Sequence, residues 1–293
     1  MVTSPTALFL SKHWRNTVYS NVWIALCAAA WMLEAEWSFG DSSNGILPLF
    51  AFFSTVFLYN FQRAIKLFRS ASYAIPGRNA WLVKNRKAIA LWAGIGGIAS
   101  VVVLLLMPLR DWIVIAMAGA VSVAYVTKLG RIKGKWVAVR EFPYVKIYLI
   151  AIVWVVLGVI LPIVHFQIEI ADQSTVFLLM LEKFCFIIAI TIPFDIRDLK
   201  YDEAHMKTLP QILGVKTSRF VALAFGLAAV GLTGMLIGDF YSMSSGIAMM
   251  LVLCVSAFAA FQAHENRDEL YFTGLLDGLF ILRALALGIA LLS

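Results

Sequence analysis

Apolar residues in this chain run in blocks that leave no polar face, which fits neither a half-buried strand nor a surface helix. Nine blocks stand out, approximately Asn16 to Trp37, Gly45 to Phe68, Lys87 to Met107, Asp111 to Leu129, Phe142 to Val164, Ser174 to Ile196, Ser218 to Gly238, Ser242 to Phe261 and Tyr271 to Leu292. A hydrocarbon core about 30 Å thick takes about 20 such residues as a helix, which satisfies all of its own backbone groups in lipid. The pattern therefore predicts an all-α, polytopic membrane protein of nine transmembrane helices. Connections between the blocks are short, so residues 1–293 read as a single membrane domain.

Composition agrees, with 61% hydrophobic and 14% charged residues, where a soluble domain carries about 25% charge. A net charge of +7 raises the question of nucleic acid. The basic residues answer it, because they cluster in alternate connections: Lys12 and Arg15, then Arg63 to Lys87, Lys128 to Arg140, Arg197 to Arg219, and Arg267, with Arg110 on the opposite side. That asymmetry places the N-terminus and these loops in the cytoplasm and the C-terminus outside. It implies membrane lipids rather than nucleic acid as surroundings, in a bacterial-type inner (plasma) membrane. Cys27, Cys185 and Cys254 lie in apolar blocks and read as small hydrophobes. The apolar patch Ala7 to Leu10 precedes its basic residues, unlike a cleavable signal.

The candidate chemistry lies where the sixth span ends, in Ile192 to Gly214, IPFDIRDLKYDEAHMKTLPQILG. Asp195, Asp198 and Asp202 are spaced by three and then four residues, which puts them on one face if the helix continues past Pro193. Such a row suits a hard cation: Mg2+ takes one or two carboxylates and completes its shell with water and phosphate oxygens. As a run of D-x-x-D-x-x-x-D followed by Lys207, Thr208, Leu209, Pro210 and a Gly, the stretch resembles the second aspartate-rich motif of the UbiA superfamily of intramembrane prenyltransferases.

The resemblance implies a UbiA-like helical bundle with its site at the cytoplasmic mouth. It implies metal held by Asp195, Asp198 and Asp202, with Lys207 beside a diphosphate. It also implies a first motif, N-D-x-x-D-x-x-x-D, at the end of the second span. Asn60 matches its Asn, but Phe61, Ala64 and Phe68 stand where the carboxylates would be. Arg63 and Lys66 are one turn apart there. They read either as fixed charges gripping a diphosphate or as anchors snorkelling to the interface. Tyr125, Lys128 and Arg131 look like the family's tyrosine and basic loop after the fourth span. Lys146 reads as one turn inside the fifth span, where an ammonium must snorkel, pair or face a polar cavity, and the cavity is favoured.

The remaining ionisable residues read as structural. Glu34 and Glu36 read as solvated helix-end charges and His165 as a surface residue. Glu182 and Lys183 point about 100° apart, so each is expected to pair separately with another helix, as are Asp277 and Arg283. The small residues Gly94, Gly96, Gly97 and Ala99 imply close helix packing. The function that follows is transfer of a polyprenyl group from an allylic diphosphate to a small aromatic or quinone-precursor acceptor, assisted by Mg2+. Two alternatives stand beside it, a non-catalytic relative binding prenyl diphosphate or lipid, and a transporter.

Overall fold

The apolar blocks form helices in the computed structural model, which describes Trp14, residues 16–40, 44–69, 78–132, 134–142, 144–169, 172–200, 202 and 204–292. In chain order these are α1 Val22–Phe39, α2 Ile46–Arg69, the short α3 Arg78–Lys84, α4 Arg86–Leu106 and α5 Leu109–Val126, followed by α6 Lys146–Phe166, α7 Gln173–Asp198, α8 Leu209–Met235, α9 Met243–Phe261 and α10 Tyr271–Leu291. Among the described residues, seven are long and apolar enough to cross a membrane; α2, α3 and α5 fall outside that set. Lys12, Arg15 and the segment Ala7 to Leu10 lie outside the described residues.

Most neighbouring helices pack in chain order. α1 lies against α2 and α10, α2 against α4, α5 against α6, α6 against α7, and α7 through α10 successively. The span most enclosed by protein is α7, with 61% of its apolar window buried. Its first turn is set by Asp172, whose carboxylate accepts from the backbone N–H and hydroxyl of Ser174 and Thr175 and is held well below the usual carboxylate range by those bonds. The close approach expected of the small residues occurs at Gly96, where a Cβ would sit 2.8 Å from the Phe57 nitrogen.

Three boundaries differ from expectation. The fourth span stops at Val126, and β1 Lys128–Ile132 pairs antiparallel with β2 Lys135–Ala138. Gly134 supplies the positive φ of 81° for that turn. Lys146 opens α6 instead of lying a turn inside it. α8 starts at Leu209, because Thr208 and Gln211 form its first turn, Thr208 N–H donating to Gln211 Oε1 at 3.0 Å.

Two π turns interrupt the spans, Val156–Ile160 in α6 and Tyr271–Leu276 in α10. In the first, Pro162 has no N–H to give back to the preceding turn. A tryptophan of α1 meets each: Trp31 donates to the Trp154 carbonyl at 3.0 Å and Trp23 to the Gly274 carbonyl at 3.0 Å. Gly158 leaves room for Trp31, since a Cβ there would lie 2.4 Å from Trp31 Nε1. Gly158→Ala is therefore expected to lower stability by about 1–3 kcal/mol. Thermal unfolding in detergent checks this, an unchanged midpoint showing that Trp31 yields freely.

Several charges lie inside, Glu34, Glu36 and His165 against expectation and Glu182, Lys183 and Arg283 in line with it. Glu34, Glu182 and Arg283 are fully buried and Lys183 nearly so. Arg283 bonds Glu34 at 2.9 and 3.0 Å and Glu182 at 2.8 Å, while Lys183 donates to Glu34. Glu182 and Lys183 thus join one network, because long side chains overcome the angle between adjacent positions. Glu36 is buried too and accepts from the N–H groups of Gly45 and Leu47, closing the start of α2. His165 is likewise internal, its Nδ1 2.6 Å from Asp111 Oδ2.

Candidate functional site

The helix α7 does continue past Pro193, carrying Asp195 and Asp198 to its end. Asp202 follows one turn later, its N–H bonded to the Asp198 carbonyl at 2.9 Å. Gln211 braces this turn from α8, donating to the Asp202 carbonyl at 3.1 Å. The stretch after the acidic row is therefore a helix start that holds Asp202 in place. A second tie runs from the Tyr144 N–H to the Met206 carbonyl at 3.3 Å, and fixes the start of α6 beside the row.

That start is Lys146, and the three carboxylates converge on it. Its Nζ lies 2.8 Å from Asp195, 3.2 Å from Asp202 and 3.9 Å from Asp198. Asp198 is in turn gripped by Arg197, whose Nε and Nη2 reach its two oxygens at 2.7 and 3.1 Å. The Arg197 guanidinium packs 5.0 Å from the Phe194 ring centre and 5.8 Å from that of Phe272. Asp195 is 2% exposed and Asp198 28%, so the row runs from the protein interior to the open mouth.

A cavity of about 780 Å³ begins at this wall. Lys146, Arg197, Asp198, Asp202, Arg140 and Tyr125 line one end, and Trp31, Leu47, Phe50, Trp154, Leu157 and Leu161 line the rest. A smaller chamber of about 240 Å³ shares Lys146, Arg197, Asp198, Tyr125 and Trp154, and adds Asp195, Arg63, Thr273 and Asp277. Trp31 is locked into an aromatic cluster, with ring centres 5.2 Å from Phe280, 6.0 Å from Phe186 and 6.2 Å from Trp154.

Of the residues singled out in the sequence, Asp195, Asp198, Asp202, Lys146, Tyr125 and Arg63 meet at these walls. Asn60 is absent from both walls: it is fully buried, accepts from Asn21 at 3.0 Å and donates to the Ser20 carbonyl at 3.2 Å, tying α2 to the turn that precedes α1. Arg131 is exposed on the hairpin, its guanidinium 4.5 Å from the Trp136 ring centre. Lys207 is exposed, with φ 46° and its ammonium 5.9 Å from the Tyr144 ring centre. The side chains of Lys66 and Lys128 lie outside the described residues. Sequence reasoning missed Arg197, Arg140, Tyr59 and Gln62 as wall residues. The available signal was Arg197, adjacent to Asp198 within the motif.

The acidic row gathers around a cation. One positive centre, the Lys146 ammonium, already lies within 4 Å of all three carboxylates. Among the described residues no three acidic, His or Cys side chains form a metal cage by themselves. Mg2+ needs only one or two carboxylates when phosphate oxygens complete its shell.

No family model and no curated protein matches the chain. Among solved structures it is similar to a UbiA homolog from Archaeoglobus fulgidus bound to DMAPP and Mg2+, with TM-score 0.60, 11% identity, and coverage of 94% of this chain and 99% of that one. It is similar also to a UbiA homolog from the same organism bound to GPP and Mg2+, with TM-score 0.60, 12% identity, and coverage of 92% and 99%. Over nearly its whole length, then, this membrane chain has the fold of the UbiA homologs.

Proposed function

We propose that this protein is an intramembrane prenyltransferase. It takes an allylic prenyl diphosphate, holds the headgroup at the charged wall and the tail in the apolar part of the cavity, and transfers the prenyl group to a small acceptor. The acceptor class we favour is aromatic or quinone-precursor. The observation that carries this reading is a single cavity with a charged end of carboxylates and cations and an apolar remainder, within a fold whose solved homologs bind DMAPP or GPP with Mg2+. The proposed topology has nine spans, the N-terminus and the charged mouth in the cytoplasm, and a bacterial-type inner membrane around them.

In this reading Asp198 and Asp202, with Asp195 behind them, hold Mg2+, which when bound neutralises charge on the departing pyrophosphate. Lys146, Arg197 and Tyr125 hold the headgroup, and Arg63 supplies charge from the smaller chamber. Lys66, Lys128, Arg131 and Lys207 keep the diphosphate-binding role that the resemblance implies, and Asn60 fixes α2 against the turn before α1. The Trp154 ring on the cavity wall stabilises an allylic cation, and the apolar enclosure keeps water from it.

A second reading draws on Phe61, Ala64 and Phe68, which replace the carboxylates of the resembled first motif: a protein that binds prenyl diphosphate without transferring it. Pyrophosphate release from geranyl diphosphate separates the two. We expect release that requires Mg2+ and stops with EDTA. Binding of geranyl diphosphate without release would support the second reading, and absence of binding would remove both.

A further inference from the structure

We propose that Lys146 makes metal binding conditional on the anion: the diphosphate enters first, draws the ammonium away from the acidic row, and thereby opens the row to the metal. This deepens the reading above and rests on it.

Three observations point this way. The Lys146 ammonium is shared by Asp195 and Asp202, and Asp198 is held by Arg197. A metal arriving alone must displace an ammonium at 2.8 Å from a carboxylate that is only 2% exposed, leaving that ammonium in a poorly solvated place without a partner. Next, the row has no ready metal cage among the described residues, so a metal shell needs oxygens from elsewhere. Finally, Lys146 lines both cavities and is 16% exposed, so its flexible stem lets the ammonium turn from carboxylate to phosphate without leaving the wall.

Charge bookkeeping gives the order. The three carboxylates of the row share two cations, Lys146 and Arg197, and keep one negative charge uncovered. A diphosphate brings negative charge that competes for these two cations, and the carboxylates it uncovers are what a divalent cation needs. By linkage, the factor by which anion tightens metal equals the factor by which metal tightens anion. Lys146 is therefore a positioning residue whose work appears in the coupling between two ligands.

The test uses the full chain in detergent, with Mn2+ as a paramagnetic substitute for Mg2+ and inorganic pyrophosphate as the anion. Free Mn2+ is followed by electron paramagnetic resonance and pyrophosphate binding by calorimetry. For the wild type we expect pyrophosphate to bind in EDTA, Mn2+ alone to bind weakly, and pyrophosphate to raise Mn2+ affinity by about tenfold or more. In Lys146→Met we expect Mn2+ alone to bind more tightly than it does to the wild type, and the coupling to shrink to the part that direct metal–phosphate bonds supply. Wild-type Mn2+ affinity that is equal with and without pyrophosphate overturns the proposal while leaving the prenyl diphosphate reading intact. Failure of the wild type to bind Mn2+ even with both pyrophosphate and geranyl diphosphate present overturns both. A coupling in Lys146→Met equal to that of the wild type, after a protein-free titration of Mn2+ with pyrophosphate is subtracted, overturns the proposal, and Lys146→Gln serves if Lys146→Met does not fold.

Discussion

Arg283→Ala is expected to cost about 3–5 kcal/mol, the largest single loss of stability in the chain, because it strands buried carboxylates. Arg283 is fully buried and supplies bonds to both Glu34 and Glu182. Without it Glu34 keeps Lys183, but Glu182 keeps only a cation at 3.9 Å. The packing loss adds to this, since the guanidinium lies 4.5 Å from the Phe186 ring centre and 5.6 Å from that of Trp31. Lys183→Met should cost less, because Glu34 retains two bonds from Arg283. The thermal midpoint in detergent should fall on the order of 10 °C for Arg283→Ala. The double variant Arg283→Leu with Glu182→Leu removes one base and one acid and leaves the Glu34 and Lys183 pair. It should recover most of the loss. If it is as unstable as Arg283→Ala, packing rather than stranded charge accounts for the effect.

That network shows what the sequence could and could not reveal. The presence of long apolar helices was legible, because a membrane helix declares itself by local composition alone, although seven rather than nine of the described helices are long and apolar enough to span. Partners of buried charges are not local: Glu34 and Arg283 are 249 residues apart and Glu34 and Lys183 are 149 apart. Glu34 and Glu36 therefore looked like solvated helix-end acids, although one binds two cations from α7 and α10 and the other closes the start of α2. His165 was hidden in the same way by Asp111, which lies on α5. The acidic row was legible from its spacing and from the signature after it, and that signature has a local reason in the Thr208 to Gln211 turn. What spacing could not show is that Lys146, from a different helix, lies within 4 Å of all three carboxylates. Asn60 matched a motif position, yet hydrogen bonds to the turn before α1 use its amide. The hairpin after α5 escaped because Lys, Arg and Gly diluted its pattern into what resembled a basic loop.

Asp198→Ala should lower pyrophosphate release from geranyl diphosphate by about 10²–10³ in kcat while changing KM little, which follows from what each neighbour loses. Asp198 lines both chambers and is the most exposed of the three acids, so in the proposed reaction its oxygens act where charge builds on the leaving group. Its removal also frees Arg197, otherwise held at 2.7 and 3.1 Å, to grip the headgroup, which preserves ground-state binding. Lys146 keeps its two closer partners, Asp195 and Asp202, so the wall survives the change. Asp195→Ala removes instead the most buried acid and the shortest contact of the ammonium, and its effect should extend to KM. Single-turnover release with saturating Mg2+, read together with calorimetric affinity for geranyl diphosphate, distinguishes these outcomes. Unchanged release in Asp198→Ala would take the acidic row out of the chemistry and leave it as the structural counter-ion of Lys146. A fall in affinity equal to the fall in rate would mean that Asp198 acts on binding and not on bond cleavage.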